Sequence, residues 1–250
     1  MLLPMFAFKT DSTTLLTVSL NSTSAQTGEY FSRLGAAYRQ AGKFSEAIQH
    51  YERALKFFSA TNNNVGVGRS LNNLGVLYGQ LGEPDREHHL CQIAIGILED
   101  SQDQEGRAIA LYNAGVASCK LNQHQQARLY FEKALPVWVA TGIYAKEAAT
   151  LGRLAKIYDC LGNSTSALCC YQEAAFIYKE LGDRYREAFI LRAMADIYRD
   201  SSLHYSAIDC YERSIRLFQK TGHISEAGQI VNQLEKVRQT LGDACIEFSH

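Results

Sequence analysis

The sequence predicts an all-α solenoid, a superhelix of stacked antiparallel helix pairs, and three observations predict it. Landmark residues recur every 40 positions, each period holds two apolar stripes of helical spacing, and small residues stand where those stripes must meet. With Leu154 as reference, the counterparts are Leu34, Leu74, Ala114, Met194 and Leu234. Tyr158 aligns with Tyr38, Tyr78 and Tyr198, and Gly162 with Gly42, Gly82, Asn122, Ser202 and Gly242. Ala167 aligns with Ala47, Ala127 and Ala207, with Glu87 as the exception, and Tyr171 aligns with Tyr51, Cys91, Phe131 and Tyr211.

Within one period, Leu151, Leu154, Ala155 and Tyr158 fall at i, i+3, i+4 and i+7, which is one face of a helix. After Leu161-Gly162-Asn163 a second stripe runs through Ala167, Leu168, Tyr171, Ala174, Ala175 and Tyr178. Gly162 suits the left-handed residue that ends a helix, and Asn163 or Ser164 suits the next N-cap. The small Ala155, Ala167 and Ala174 let two antiparallel helices approach closely. A single pair cannot bury both stripes, whereas stacked pairs can.

These residues resemble the tetratricopeptide repeat, read at Leu34, Gly35, Tyr38, Gly42, Ala47, Tyr51 and Ala54 and again in each later copy. The 40-residue period is most similar to the Leu-Gly-Asn repeat (Pins-type) adaptors that orient the mitotic spindle, with rapsyn and the SH3-plus-repeat scaffolds next. The resemblance implies a right-handed superhelical solenoid of antiparallel helix pairs and a non-enzymatic scaffold for protein partners.

In chain order, residues 1–26 are expected to be an irregular N-terminal segment or the remnant of a preceding repeat. Five helix pairs are expected over 27–223, a C-terminal capping helix over 224–241 and a tail over 242–250. In the second pair Glu87 replaces the packing Ala, and Pro84 stands at a helix start, which tolerates it. In the third, Pro136 falls inside the second helix, predicting a kink or an early end near Ala134. Gly66 and Gly68 are expected to form a loose turn between repeats. The polar Asn232, Gln233, Glu235, Lys236, Arg238 and Gln239 mark a helix that closes the stack against water.

A net charge of -1 argues against broad attraction to nucleic acid or to a membrane surface. Seven cysteines, an odd number without a disulfide framework, read as reduced thiols of a cytoplasmic protein. His88-His89 with Cys91 has no second ligand pair, so no metal is expected. Cys169-Cys170 reads as helix packing, because Cys170 shares a column with Cys210. No catalytic constellation, cofactor motif or membrane-spanning run stands out.

In the family that this chain resembles, first helices line the inner surface of the superhelix. With Leu34 and its equivalents as the buried reference, the flanking columns bring Arg33, Arg69, Asn72, Asn73, Asn113, Arg153, Lys156, Arg192 and Arg199 to that surface. Counting Arg39, Lys120 and Lys236 as well, nine cations face four anions, Glu29, Asp159, Asp196 and Asp200. Cations gathered in a concavity favour an acidic ligand, and Asn side chains bond a peptide backbone through donor and acceptor alike. The expected function is binding of an extended, acidic peptide in the concave groove. The alternative is a self-associating clustering module that uses exposed repeat ends and Phe57-Phe58.

Overall fold

A computed structural model describes the backbone of residues 12–247 and the side chains of 26–241. The described chain is all-α and divides into two compact units, residues 1–121 and 122–250. The first unit holds α1 (Ser12–Gln40), α2 (Phe44–Ala60), α3 (Asn64–Gln80), α4 (Pro84–Glu99) and α5 (Gln104–Lys120). The second holds α6 (His124–Thr141), α7 (Tyr144–Cys160), α8 (Ser164–Glu180), α9 (Arg184–Asp200), α10 (His204–Lys220) and α11 (Ile224–Glu247). Within each unit consecutive helices pack on one another, so each is a run of helical hairpins. The starts of α3, α5, α7, α9 and α11 at 64, 104, 144, 184 and 224 reproduce the 40-residue period.

The turns explain the regular lengths. Left-handed residues stand at Gly42, Asn62, Gly82, Asn122, Gly142, Gly162, Gly182, Ser202 and Gly222, and α2, α3, α5, α7, α8, α9 and α10, which each end at one of them, are all 17 residues long. The next amide then reaches back to close the last turn, as Asn163 N does to Tyr158 O at 2.8 Å. Asn63, Asp103, Asn163 and Asp183 open the following helices by accepting a backbone N–H three residues on.

The predicted packing columns form the core. Ala47, Ala127, Ala167 and Ala207 are fully buried, and Tyr51, Cys91, Phe131, Tyr171 and Tyr211 are at most 4% exposed. A fully buried aromatic ring of this kind contributes about 1.5–3 kcal/mol through lost apolar surface. Ser214, in a column otherwise of Ala, satisfies its hydroxyl by donating to Ala188 O at 2.7 Å.

Several sequence expectations need correction. Pro136 does not end α6, which runs on to Thr141, because fully buried Ala134 and Trp138 hold the helix on either side of the missing N–H. Gly66 and Gly68 are not a turn. They lie buried inside α3, where a Cβ would run into Phe58 and Leu98, so their bareness lets neighbouring side chains lie on the backbone. Phe58 is therefore core, at 5% exposure, and only Phe57 of that pair stays accessible. The segment expected to end at 26 lies outside the described residues up to 11 and is helix from Ser12 onward, continuous with the first helix of the first pair. The last helix extends from Ile224 to Glu247.

Candidate peptide-binding face

Eight of the nine residues assigned to the first-helix face keep accessible side chains. Arg33, Arg69, Arg153 and Lys156 are exposed, and Asn73, Asn113, Arg192 and Arg199 are half-buried. Asn72 is the correction, at 5% exposure. Its Oδ1 accepts from Asn113 Nδ2 at 2.9 Å and faces Cys91 Sγ at 3.8 Å, so it ties α3 to α5 and offers nothing to a ligand.

In the first unit, other members of the set are likewise committed to the protein itself. Arg69 donates through Nε and Nη2 to both oxygens of Asp103 at 2.6 and 2.8 Å. Asp103 also caps α5 by accepting from Gly106 N at 3.0 Å, and a Cβ at Gly106 would collide with that carboxylate. Three N–H donors on one carboxylate hold its pKa below the ordinary range, with Arg69 as the main cause. Lys120 is similarly occupied. Its Nζ donates to Glu87 at 2.6 Å and to Gly79 O at 3.1 Å. Glu87 is 3% exposed, and its carboxylate lies where a side chain at position 79 would otherwise be. Burial pushes the Glu87 pKa up, against the opposing pull of Lys120. Arg33 makes one exposed pair with Glu29 at 3.8 Å, and Asn73 has no bond to a described residue.

In the second unit, two cations pair along their own helix. Lys156 bonds Asp159 at 3.2 Å. Arg199 bonds Asp196 at 3.0 Å, Asp200 at 2.8 Å and the Tyr211 hydroxyl at 3.0 Å, and Tyr211 in turn donates to Asp196 at 2.6 Å. Arg153 and Arg192 differ, since neither forms an ion pair with a described residue. Arg192 stacks over the Phe189 ring at 5.4 Å, and its Nε is buried without an acceptor. A guanidinium held by an aromatic ring, with terminal N–H groups that bond no described residue, is prepared to take a carboxylate through those groups.

Reading columns did not single out Asp103, and it marked Glu87 and Tyr211 only as packing residues, not as partners of Lys120 and Arg199. Asp103 did carry a signal: a capping residue three positions before a glycine, Asp103 and Gly106. Three of the thiols are held in the poorly nucleophilic protonated form. Burial pushes Cys91 up to about 12 and raises Cys170 and Cys210. Among the described residues no group of acids, cysteines and histidines can hold a metal ion, and no helix is long and apolar enough to cross a membrane.

The comparisons with known proteins agree with this architecture. The chain is 28% identical over 136 residues to protein kinesin light chain-related 1 of Arabidopsis thaliana, covering 52% of this chain and 22% of that protein. It is 29% identical over 113 residues to the photosystem I assembly protein Ycf3 of Prochlorococcus marinus, covering 42% of this chain and 60% of the relative. The chain thus spans less than two thirds of either relative's length. Among solved structures, it matches the signal-transduction ATPase with a tetratricopeptide repeat sensor from Pyrococcus horikoshii with a TM-score of 0.71 at 17% identity, over 88% of this chain and 36% of that one. At that identity the likeness shows the fold alone. Proteins built of tetratricopeptide repeats generally mediate protein–protein interactions. The tetratricopeptide repeat family model matches residues 26–100, 106–180 and 146–220, well over half of the chain, which therefore belongs to the tetratricopeptide repeat family.

Proposed function

We propose that this protein is a non-enzymatic interaction scaffold whose first helices bind an extended, acidic peptide. Arg153 on α7 and Arg192 on α9 supply the charge. The observation that carries the reading is the unpaired state of these two guanidinium groups on consecutive first helices, beside cations that are already neutralised. Preformed helices need no ordering on binding, so that cost falls on the peptide, and micromolar affinity, roughly 8 kcal/mol, is within reach. The reading includes a cytoplasmic location, a division into five helix pairs over 27–223 with a capping helix over 224–241, and a kinship with the Pins-type adaptors.

The test is Arg153→Glu combined with Arg192→Glu in the full chain. It is scored by fluorescence anisotropy with a labelled glutamate-rich peptide and by pulldown from lysate. Binding should weaken at least tenfold, a change of about 1.4 kcal/mol, with helicity by circular dichroism unchanged. Affinity equal to wild type in a folded variant sinks the reading.

A second reading, self-association, is favoured by one observation at the front of the first unit. Tyr30 is 59% exposed in a column where Ser70, Ala110 and Thr150 are fully buried. With Phe31 and Phe57 it forms an aromatic strip at ring distances of 5.6 Å. Light scattering at tens of micromolar decides it, since a monomer there removes this reading.

A further inference from the structure

The two unpaired guanidinium groups of the peptide face sit in different settings. Arg153 on α7 is exposed, with no ring of a described residue beneath it, whereas Arg192 on α9 is half-buried and lies over the Phe189 ring at 5.4 Å. That ring is itself held in place. It stands at right angles to Phe218 at 5.0 Å and at 76° to Tyr185 at 4.9 Å, so α9 and α10 together fix the surface on which the guanidinium rests. The same two positions are Ala149 and Gly152 on α7, Ile109 and Tyr112 on α5, and Arg69 and Asn72 on α3. Of these four helices, only α9 places a ring one helical turn before a cation.

The buried Nε of Arg192 decides how an acceptor can approach. Arg69 shows the other mode, holding Asp103 side-on through Nε and Nη2. In Arg192 the Nε is closed off and the ring covers one side of the plane, which leaves the two terminal nitrogens, reached end-on. The charges around that position are nearly balanced. The pKa of buried Tyr171 is raised by burial first and then by Asp159, Cys160 and Asp196, with Arg192 opposing, so both acids and the guanidinium act on one hydroxyl. Both acids are already engaged, Asp159 by Lys156 and Asp196 by Arg199 and Tyr211. A planar monoanion can join Arg192 there, while a dianionic phosphate brings a second charge into the field of two carboxylates.

We propose that Phe189 is a positioning residue that makes Arg192 the anchor of the peptide face, and that the group taken there is a single aspartate or glutamate carboxylate, bound end-on, in preference to a phosphate. This rests on the acidic-peptide reading above and goes beyond it by ranking the two arginines and naming the ligand group. Arg153 has no ring to hold it and must give up side-chain freedom on binding, so it contributes less.

The measurement is fluorescence anisotropy of a labelled glutamate-rich peptide with the full chain. Arg192→Ala should weaken binding about tenfold and Arg153→Ala at most about threefold. Phe189→Leu keeps an apolar side chain against Phe218 and should weaken binding about fivefold, yet change nothing once Arg192 is alanine. A purely structural role for the ring would lower affinity equally in both backgrounds. Arg192→Lys leaves the ring cluster intact and keeps the charge but not the stacked plane, so it should lose about as much as Phe189→Leu. The same peptide with phosphoserine in place of glutamate should bind more weakly. Equal losses from Arg153→Ala and Arg192→Ala, a Phe189→Leu loss that persists without Arg192, wild-type affinity in Phe189→Leu or Arg192→Lys, or equal or tighter binding of the phosphoserine peptide each overturns this proposal. Any of these results leaves the acidic-peptide reading in place if Arg153→Glu with Arg192→Glu still weakens binding. If that pair binds as wild type does, the acidic-peptide reading falls and this proposal falls with it.

Discussion

The two units use the same sequence columns in opposite ways. On α3 and α5, Asn72, Asn113, Arg69 and Lys120 bond partners on neighbouring helices of their own unit. On α7 and α9, Lys156 pairs along its own helix, Arg199 pairs along its own helix and bonds the Tyr211 hydroxyl of α10, and Arg153 and Arg192 pair with nothing described. The difference follows from what stands opposite. Where a packing column departs from the repeat, as with Glu87 in place of Ala, the polar side chains nearby are drawn in to compensate. Where the column keeps its Ala, as at Ala167 and Ala207, it buries no carboxylate for a neighbouring cation to neutralise, and Arg153 and Arg192 stay available. A polar residue on a repeat face is thus a ligand-binding candidate only after the packing exceptions around it have taken their share.

The sharpest way to break this comparison is Lys120→Met. It leaves the Glu87 carboxylate buried without its cation, and should cost about 3 kcal/mol in urea unfolding of the full chain. Glu87→Ala added to it should recover most of that loss, because Ala is what the column holds at 47, 127, 167 and 207. A Lys120→Met protein as stable as wild type would mean that Glu87 and Lys120 are independent, and the compensation argument would fail.

Arg69→Ala follows in size. Its loss removes two charge-assisted bonds to a cap that is itself only 9% exposed at the side chain, although Arg69 is 58% exposed, so about 1 kcal/mol is expected. Binding of an acidic peptide should be unchanged, in contrast to the Arg153 and Arg192 pair. Weakened binding in Arg69→Ala, with the unfolding midpoint unmoved, would erase the distinction between committed and available cations.

The fold was readable because a repeat adds its signals. Each turn, each Ala column and each aromatic column was stated several times over, and Asn62, Asn122 and Ser202 could be placed in the left-handed position by alignment with glycine. The wiring of the face was not readable in the same way. Alignment by period compares residues 40 apart, whereas the bonds that commit Lys120, Arg69 and Asn113 join residues 33, 34 and 41 apart, across columns. Such pairings depend on side-chain reach between helices, which periodicity does not encode. Pro136 was misjudged for a related reason, since its cost is local while the packing of Ala134 and Trp138 that offsets it is tertiary.

The pH response provides a third contrast, between a carboxylate that accepts three N–H bonds and glutamates that are buried without them. Asp103 has a depressed pKa, so its share of stability is present above the unfolded value near 3.9 and is lost as pH falls through the lower folded value. Glu147 and Glu187 have raised values, with burial as the main cause. The folded state then holds more protons than the unfolded one, so their contribution is full below about pH 4.3 and is lost as pH rises through the folded value. Glu187→Gln should accordingly gain on wild type between pH 4 and 7 in urea midpoints, while Asp103→Asn should lose most at neutral pH and least in acid. Parallel pH curves for wild type and Glu187→Gln would contradict the assigned burial cost.

The smallest effect concerns the turns. Ser202 takes a left-handed backbone at φ 59°, where six other turns of the set use glycine, and its side chain bonds no described residue. An L-residue pays about 1 kcal/mol for that conformation, and the greater freedom of glycine in the unfolded chain returns part of it. Ser202→Gly should therefore raise stability by about 0.5 kcal/mol, seen as a slightly higher unfolding midpoint with an unchanged slope. A lower midpoint in Ser202→Gly would mean that the serine backbone at this turn carries no strain for glycine to relieve.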